Sequence, residues 1–359
     1  MSDAGCDALL LSVGPDLPWL CGYEAMPLER LTMLVLRRDA DATLVVPRLE
    51  APRVVERPEL FAIHPWDETD DPVEIVAGLL GASTTGAIGD RTWARFLVEL
   101  QSVTPHIRYR RATSITGPLR EIKDAHEIAA LRRAGAAIDR IAVELQTGQI
   151  PLVGRAEAEV SAELGRRILA EGHHRVNFAI VAAGPNAASP HHEPGDRVIG
   201  DDEVVLCDFG GTMLDEFGVG YCSDMTRCVW TGEPSTEAAE VYDVLEAAYL
   251  AAIAAVSTGA SCESVDRAPR DVIGAAGYGE YFMHRTGHGM GVEEHEDPYI
   301  VEGNSAPIRV GHCFSIEPGI YLPGRFGFRL EDCVIATDGG ADPLTSAEHG
   351  LVALSTPTA

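Results

Sequence analysis

Lysine is almost absent from this chain. Of 28 basic residues only Lys123 is lysine, and they stand against 55 acidic ones, a net charge of −27. No run of basic residues exists, which excludes a phosphate-binding nucleic-acid partner. Long apolar runs are also missing. The longest, Ala247–Val256, is ten residues, half of the roughly 20 needed to span a bilayer, so no membrane segment is expected. The opening Met1-Ser-Asp-Ala-Gly-Cys6 has no basic stretch leading into an apolar one, and no signal peptide is expected. Eight cysteines occur at 6, 21, 207, 222, 228, 262, 313 and 333, none in a Cys-x-x-Cys pair. That excludes a zinc knuckle or thioredoxin-type site, and the apolar settings of several predict free buried thiols in a reducing cytoplasm. His-Glu-x-x-His and Gly-x-Ser-x-Gly are absent too, removing two common hydrolase signatures.

What remains is 359 residues that are 46% hydrophobic. This excludes intrinsic disorder and leaves room for two or three domains with cores of their own. The first part reads as a small α/β domain. Ala8–Val13, Leu31–Leu36, Ala42–Val46 and Leu60–His64 have the run lengths of strands, and Pro72–Leu80 and Thr92–Leu100 read as helices. Arg111–Pro118 reads as a linker, with Pro118 placed for the first turn of a helix. The expected domains are therefore 1–113 and 114–359. In the second, Ile128, Leu131, Ile138, Ala142 and Leu145 share one face of a long helix. Further helices are expected over Ala156–Glu171, Ser235–Ser257 and Cys262–Ala276. Strands are expected over Asn177–Val181, Glu203–Leu214, Val219–Trp230, Cys313–Glu317 and Gly327–Ala336.

Some of these strands carry charge where it is costly. Asp208 sits inside Val204-Val-Leu-Cys-Asp-Phe-Gly-Gly211, and Asp224 inside Tyr221-Cys-Ser-Asp-Met-Thr-Arg227. An ionised carboxylate within a sheet needs a partner or a metal. A hairpin centred on Asp215–Gly218 pairs residues whose numbers sum to about 433 by the reasoning of antiparallel register. That brings the two aspartates within one slip of opposition. The alternative is that Asp208 caps a turn and Asp224 pairs with Arg227. His288 lies between glycines in Thr286-Gly-His-Gly-Met-Gly291, where backbone can approach closely. Glu317 ends an apolar strand and Glu331 lies inside another. Four carboxylates and one imidazole suit a pair of divalent ions, with manganese, cobalt, iron and zinc all compatible.

The ordered set Asp-Phe-Gly, Ser-Asp-Met-Thr-Arg, His-Arg-Thr-Gly-His-Gly-Met-Gly, Ile-Glu-Pro-Gly-Ile-Tyr and Arg-Leu-Glu-Asp resembles the pita-bread metallopeptidases. It is most similar to the Xaa-Pro dipeptidases (prolidases) and aminopeptidase P. The resemblance covers about residues 114–354. It implies a creatinase-type N-terminal α/β domain followed by a pita-bread domain with a curved antiparallel sheet. It implies metal-dependent hydrolysis of Xaa-Pro bonds in di- or oligopeptides by a cytoplasmic homodimer. Two divalent ions, most simply Mn2+, would be held by Asp208, Asp224, His288, Glu317 and Glu331, with Asp224 and Glu331 bridging. Glu317 would also relay the proton of the attacking water. His191, His284 and His295 match the family's histidines outside the metal shell; His191 and its neighbour His192 read equally well as polar loop residues.

Two departures stand out. Some prolidases carry an arginine four residues after the second histidine, where it can hold the dipeptide's carboxylate; here Tyr299 stands there. That leaves action on longer peptides open, with Arg325 and Arg329 as alternative anchors. Arg329 can instead pair with an acid near the metals. The segment before the first strand is also shorter than is usual in the family. Other readings are a metal-free scaffold, a creatinase-type hydrolase, or a methionine aminopeptidase. The N-terminal domain and the His-Arg-Thr-Gly-His run speak against the last.

Overall fold

A computed structural model describes residues 1–354. The chain forms two compact units. One comprises Met1–Arg120 with Asp215–Gly220, the other Glu121–Leu214 with the chain from Tyr221 onward.

The first unit is built on a six-stranded sheet in the order Phe61–Trp66, Ala42–Pro47, Met33–Arg37, Ala8–Leu11, Thr85–Ile88, Arg108–Arg111. Alternate residues of the Ala8–Leu11 strand serve two cores, as a two-residue side-chain period requires. Leu9 and Leu11 pack with Leu17 and Cys21, while Ala8 and Leu10 pack with Val73, Val76, Phe96 and Leu100. The segment expected to be a linker differs from that expectation. Thr113–Arg120 is a helix, and Pro118 lies inside it rather than at the first turn of the next. Its Thr, Ser, Gly and Pro are poor helix formers, but tertiary contacts override such propensities. Ala112 joins the Leu9 core, and Thr116 and Arg120 both bind the buried Asp16. The compact units divide after Arg120.

The second unit carries the curved antiparallel sheet. Its main path runs Glu296–Ile300, Gly287–Gly289, Cys313–Ile316, Glu331–Thr337, Met225–Thr231, Val204–Leu214, Arg175–Ala183, with every neighbour antiparallel. Four helices supply its apolar cover: Ala125–Gln146, Glu157–Ala170, Thr236–Ala255 and Cys262–Ala275. The first begins with a capping box, in which Asp124 and Glu127 each accept from the other's backbone N–H. Val205, Cys207 and Phe209 pack against the first two helices, and Val204 and Leu206 against the last two. By alternation Asp208 falls on the Val204 side, on a strand that is apolar around it.

The expected Val219–Trp230 strand is broken. Gly220–Cys222 and Met225–Thr231 are separate strands, with Ser223 and Asp224 between them. The break is possible because Gly210 lies opposite: a Cβ there would sit 2.1 Å from the Ser223 carbonyl oxygen. Gly327–Ala336 is likewise split at Leu330. Register then does the rest. Thr226 pairs with Asp208 on one side and with Glu331 on the other. The next strand pairs Ile316 with Asp332, so Glu317, one residue on, comes level with Glu331. Four residues far apart in sequence thereby stand in one row.

Candidate metal centre

Asp208, Glu317 and Glu331 of this row line a cavity of about 600 Å³. Its wall includes Asp208, Asp224, His288, Glu317 and Glu331, all five residues expected as ligands, together with His191, His284 and His295. Asp224, His288 and Glu331 are buried and offer donor atoms within 4.8 Å of one another. His288 Nε2 lies 3.6 Å from Asp224 Oδ2 and 3.3 Å from Glu317 Oε1. Asp224 is not directly opposite Asp208, which faces Thr226; the two are diagonal, and the break at Ser223 turns Asp224 into the cavity. Arg227 pairs with Asp332 at 2.7 Å, not with Asp224.

The electrostatics of this cluster are those of a cation site. Burial, reinforced by the neighbouring carboxylates, raises Asp224 and Glu331 well above the usual carboxylate range. Burial, opposed by Arg329 and helped by Asp208, pushes Glu317 up to about 7. Burial pushes His288 down to about 3, so its ring is neutral. Its Nδ1 faces the Gly289 carbonyl at 3.1 Å. A carbonyl can only accept, so Nδ1 carries the proton and the Nε2 lone pair faces the carboxylates. A lone pair facing a carboxylate needs a cation or a proton between them. Asp208 Oδ1 and Asp224 Oδ1 are buried and have no hydrogen-bond partner. Orphaned oxygens beside an imidazole lone pair fit a divalent ion.

Glycine is required on both sides of His288. A Cβ at Gly287 would lie 1.8 Å from the Ser315 carbonyl oxygen, and one at Gly289 2.4 Å from that of Asp297. Ser315 Oγ accepts the His288 backbone N–H at 3.0 Å and donates to Glu317 Oε1 at 3.1 Å, fixing both residues. Gly287→Ala is therefore expected to cost about 1–3 kcal/mol of stability, the usual range for overpacking. It should appear as a lower urea midpoint at unchanged slope; an unchanged midpoint would contradict this packing.

Arg329 is held too firmly to be a substrate anchor. Its guanidinium donates to Asp208 Oδ2 at 2.6 Å, Thr226 Oγ1 at 3.0 Å, the Tyr321 hydroxyl at 2.9 Å and the Pro190 carbonyl at 3.3 Å. Thr226 in turn donates to Glu331 at 2.7 Å. Arg325 binds Glu237 on the exposed surface and is not part of the cavity wall. Tyr299 also lies outside that wall, half-buried beneath the Arg285 guanidinium. His284 has both ring nitrogens engaged, Nδ1 with the Arg285 carbonyl and Nε2 with the Tyr321 hydroxyl, each at 2.8 Å. His192 is tied to Glu157 at 2.8 Å, whereas the exposed His191 reaches the cavity. His295 is exposed, its ring centroid 4.0 Å from that of His288. Sequence reasoning missed Thr226, Tyr321 and Arg285. The first two were findable by register, Thr226 two residues after Asp224 and Tyr321 four after Glu317.

The fold and this cluster define a metallopeptidase. Residues 122–338 match metallopeptidase family M24, and residues 1–134 match the creatinase/prolidase N-terminal domain. The chain belongs to family M24, whose members use divalent metal ions. It is 42% identical over 358 residues to the probable dipeptidase PepE of Mycobacterium tuberculosis, covering 98% of this chain and 93% of that one. It is 34% identical over 365 residues to the Xaa-Pro dipeptidase of Lactobacillus helveticus, covering 98% and 96%. The crystal structure of dipeptidase PepE from Mycobacterium ulcerans superposes with a TM-score of 0.90 at 41% identity, covering 99% and 95%.

Proposed function

We propose that this protein hydrolyses the peptide bond before proline in Xaa-Pro peptides, using two divalent ions, most simply manganese. The observation that carries the reading is the cavity on which Asp208, Asp224, Glu317, Glu331 and the neutral His288 imidazole converge, Asp208 and Asp224 each with one buried oxygen that has no hydrogen-bond partner. Asp208, Asp224, His288, Glu317 and Glu331 would hold the ions. Ions there would lower the pKa of a water and polarise the scissile carbonyl. Arg329 adds one positive charge to the four acids. With two divalent ions the cluster is then one charge positive, which favours an anionic oxygen among the reactants.

Glu317 is suited to move the proton. Its carboxylate, on the cavity wall beside His288, would accept a proton from the attacking water and return it to the departing proline nitrogen. His191 and His295, at the cavity wall, would donate hydrogen bonds to the developing oxyanion or the neighbouring substrate carbonyl. His284 acts through Tyr321 and Arg329 to fix Asp208, a positioning role. The name of the Lactobacillus relative supports Xaa-Pro specificity. The buried, unbridged state of all eight cysteines supports a cytoplasmic setting. No helix among the described residues is long and apolar enough to cross a membrane. A homodimer is the assembly implied by the family resemblance.

The test is a comparison of manganese-loaded protein on Ala-Pro, Ala-Pro-Ala and Ala-Ala. Both proline peptides are expected to be cleaved with kcat/KM at least about 100-fold above Ala-Ala, a difference of about 3 kcal/mol in the transition state. Equal or faster cleavage of Ala-Ala would refute proline specificity.

A further inference from the structure

We propose that Glu157 is a positioning residue that closes the loop 184–195 and thereby aims His191 into the substrate cavity. The inference rests on the hydrolase reading above, in which His191 donates to the oxyanion, and names what directs that donor. His191 needs such a device. It is exposed, it lies on a loop and not on a strand, and its ring makes no hydrogen bond among the described residues. A group displaced by about 1 Å from the reacting centre loses much of its effect.

Glu157 opens the helix Glu157–Ala170 and is fully buried. It takes no part in the chemistry described above. A carboxylate removed from water is costly unless its oxygens are hydrogen-bonded. Here the donors come from both ends and the interior of one loop. Oε1 accepts from the Ala183 N–H at 2.8 Å and the Asn186 amide at 2.9 Å. Oε2 accepts from His192 Nε2 at 2.8 Å, the Asn186 amide at 3.1 Å and the Gly195 N–H at 3.5 Å. Backbone and amide N–H groups can only donate, so both oxygens act as acceptors and His192 Nε2 carries its proton. The main chain closes the same neck. The Glu157 N–H donates to the Arg197 carbonyl and the Ala158 N–H to the Gly195 carbonyl, each at 3.0 Å. One side chain thus joins the two ends of the loop, offsetting the entropy of closing it.

His191 is fixed through its neighbours. His192, which follows it, is held by Glu157. Pro190, which precedes it, offers its carbonyl to Arg329 at 3.3 Å, the guanidinium that also grips Asp208. The loop lies against the strand Phe326–Arg329 as well: a Cβ at Gly327 would sit 2.1 Å from the Ala187 carbonyl oxygen. With the backbone held on both sides, only side-chain rotation is left to His191, which lines the cavity from this frame. Glutamine at 157 would keep one acceptor but would turn an NH2 group toward the donors of the loop. The loop would then be released at one end.

The experiment is a double-mutant cycle between Glu157 and His191 on the manganese-loaded protein, with Ala-Pro as substrate. Glu157→Gln alone is expected to lower kcat by about 10- to 100-fold with KM within about threefold, because the contact that it aims is made in the transition state. In the His191→Ala background the same substitution should change kcat by less than about twofold, since no donor is left to aim. A purely structural loss would cost both backgrounds alike. His192→Ala removes one arm of the carboxylate's support at a partly exposed position. It should repeat the pattern at about 3- to 10-fold, and it serves if Glu157→Gln does not fold. Hydrogen exchange supplies a readout independent of activity: residues 183–195 should exchange at least about tenfold faster in either loop variant, with the rest of the protein unchanged. A Glu157→Gln or His192→Ala effect as large in His191→Ala protein as in wild type would overturn the inference, and so would unchanged exchange over 183–195. If wild-type protein cleaves no Xaa-Pro peptide, the hydrolase reading fails on its own, and the closure of the loop by Glu157 stands or falls on the exchange.

Discussion

Glu331→Gln is expected to lower kcat/KM on Ala-Pro by about a thousandfold or more. Glu331 is buried, level with Glu317 and joined through Thr226 to the Asp208 side of the row. If it bridges two ions, the amide removes one of the charges that hold both together, and metal assistance contributes several kcal/mol to such reactions. The fold should survive, because the amide oxygen can still accept from Thr226, which donates to Glu331 at 2.7 Å. The metal-free variant should even be at least as stable as wild type at pH 8, having lost a buried carboxylate whose ionisation is disfavoured. The assay is the kinetic constant at saturating manganese, with the thermal midpoint as control. Activity within tenfold of wild type would remove Glu331 from the site.

The second large effect concerns metal removal and pH together. In the metal-free protein Asp224, Glu317 and Glu331 have folded pKa values raised above their unfolded ones, Glu317 to about 7. The sign follows from linkage. A group raised in the folded state contributes stability that is fully present below its unfolded pKa and is lost as pH rises through its folded pKa. For Glu317 that window runs from its usual value near 4.5 to about 7. The thermal midpoint of the metal-free protein should therefore fall by several degrees between pH 5 and pH 8. Divalent ions bind the ionised carboxylates, so they should stabilise the protein more at pH 8 than at pH 5. Thermal melts at both pH values, with EDTA and with excess manganese, measure the difference. A metal-induced shift larger at pH 5 would contradict the carboxylate site.

Much of the site was legible because its charges stand in the wrong places. Asp208 interrupts an apolar strand, Glu331 opens one and Asp224 lies in the gap between two, while the glycines flanking His288 mark a close backbone approach that the structure shows at Gly287 and Gly289. Hairpin arithmetic came within one residue: the pairs sum to 434, as Thr226 with Asp208, where 433 was expected. The residual error lies at the turn, where the Asp215 N–H already donates to the Val219 carbonyl, a pair that also sums to 434. The Ala125–Gln146 helix was readable from its own spacing. The Thr113–Arg120 helix was not, because what stabilises it is Asp16, about a hundred residues earlier. Arg329 and Arg285 show the same limit. Nothing local in the sequence says that one is saturated by Asp208 and its neighbours while the other lies on Tyr299. That distinction exists only once the strands are registered.

The most direct measurement is the metal content of the chain. Metal-free protein is equilibrated with Mn2+ at pH 8, freed of excess by gel filtration, and assayed for bound ion by mass spectrometry and for Ala-Pro hydrolysis. Two ions per chain, with hydrolysis that appears only as they bind, is the predicted result. A chain that retains no divalent ion, or that cleaves Ala-Pro equally well without one, would contradict it.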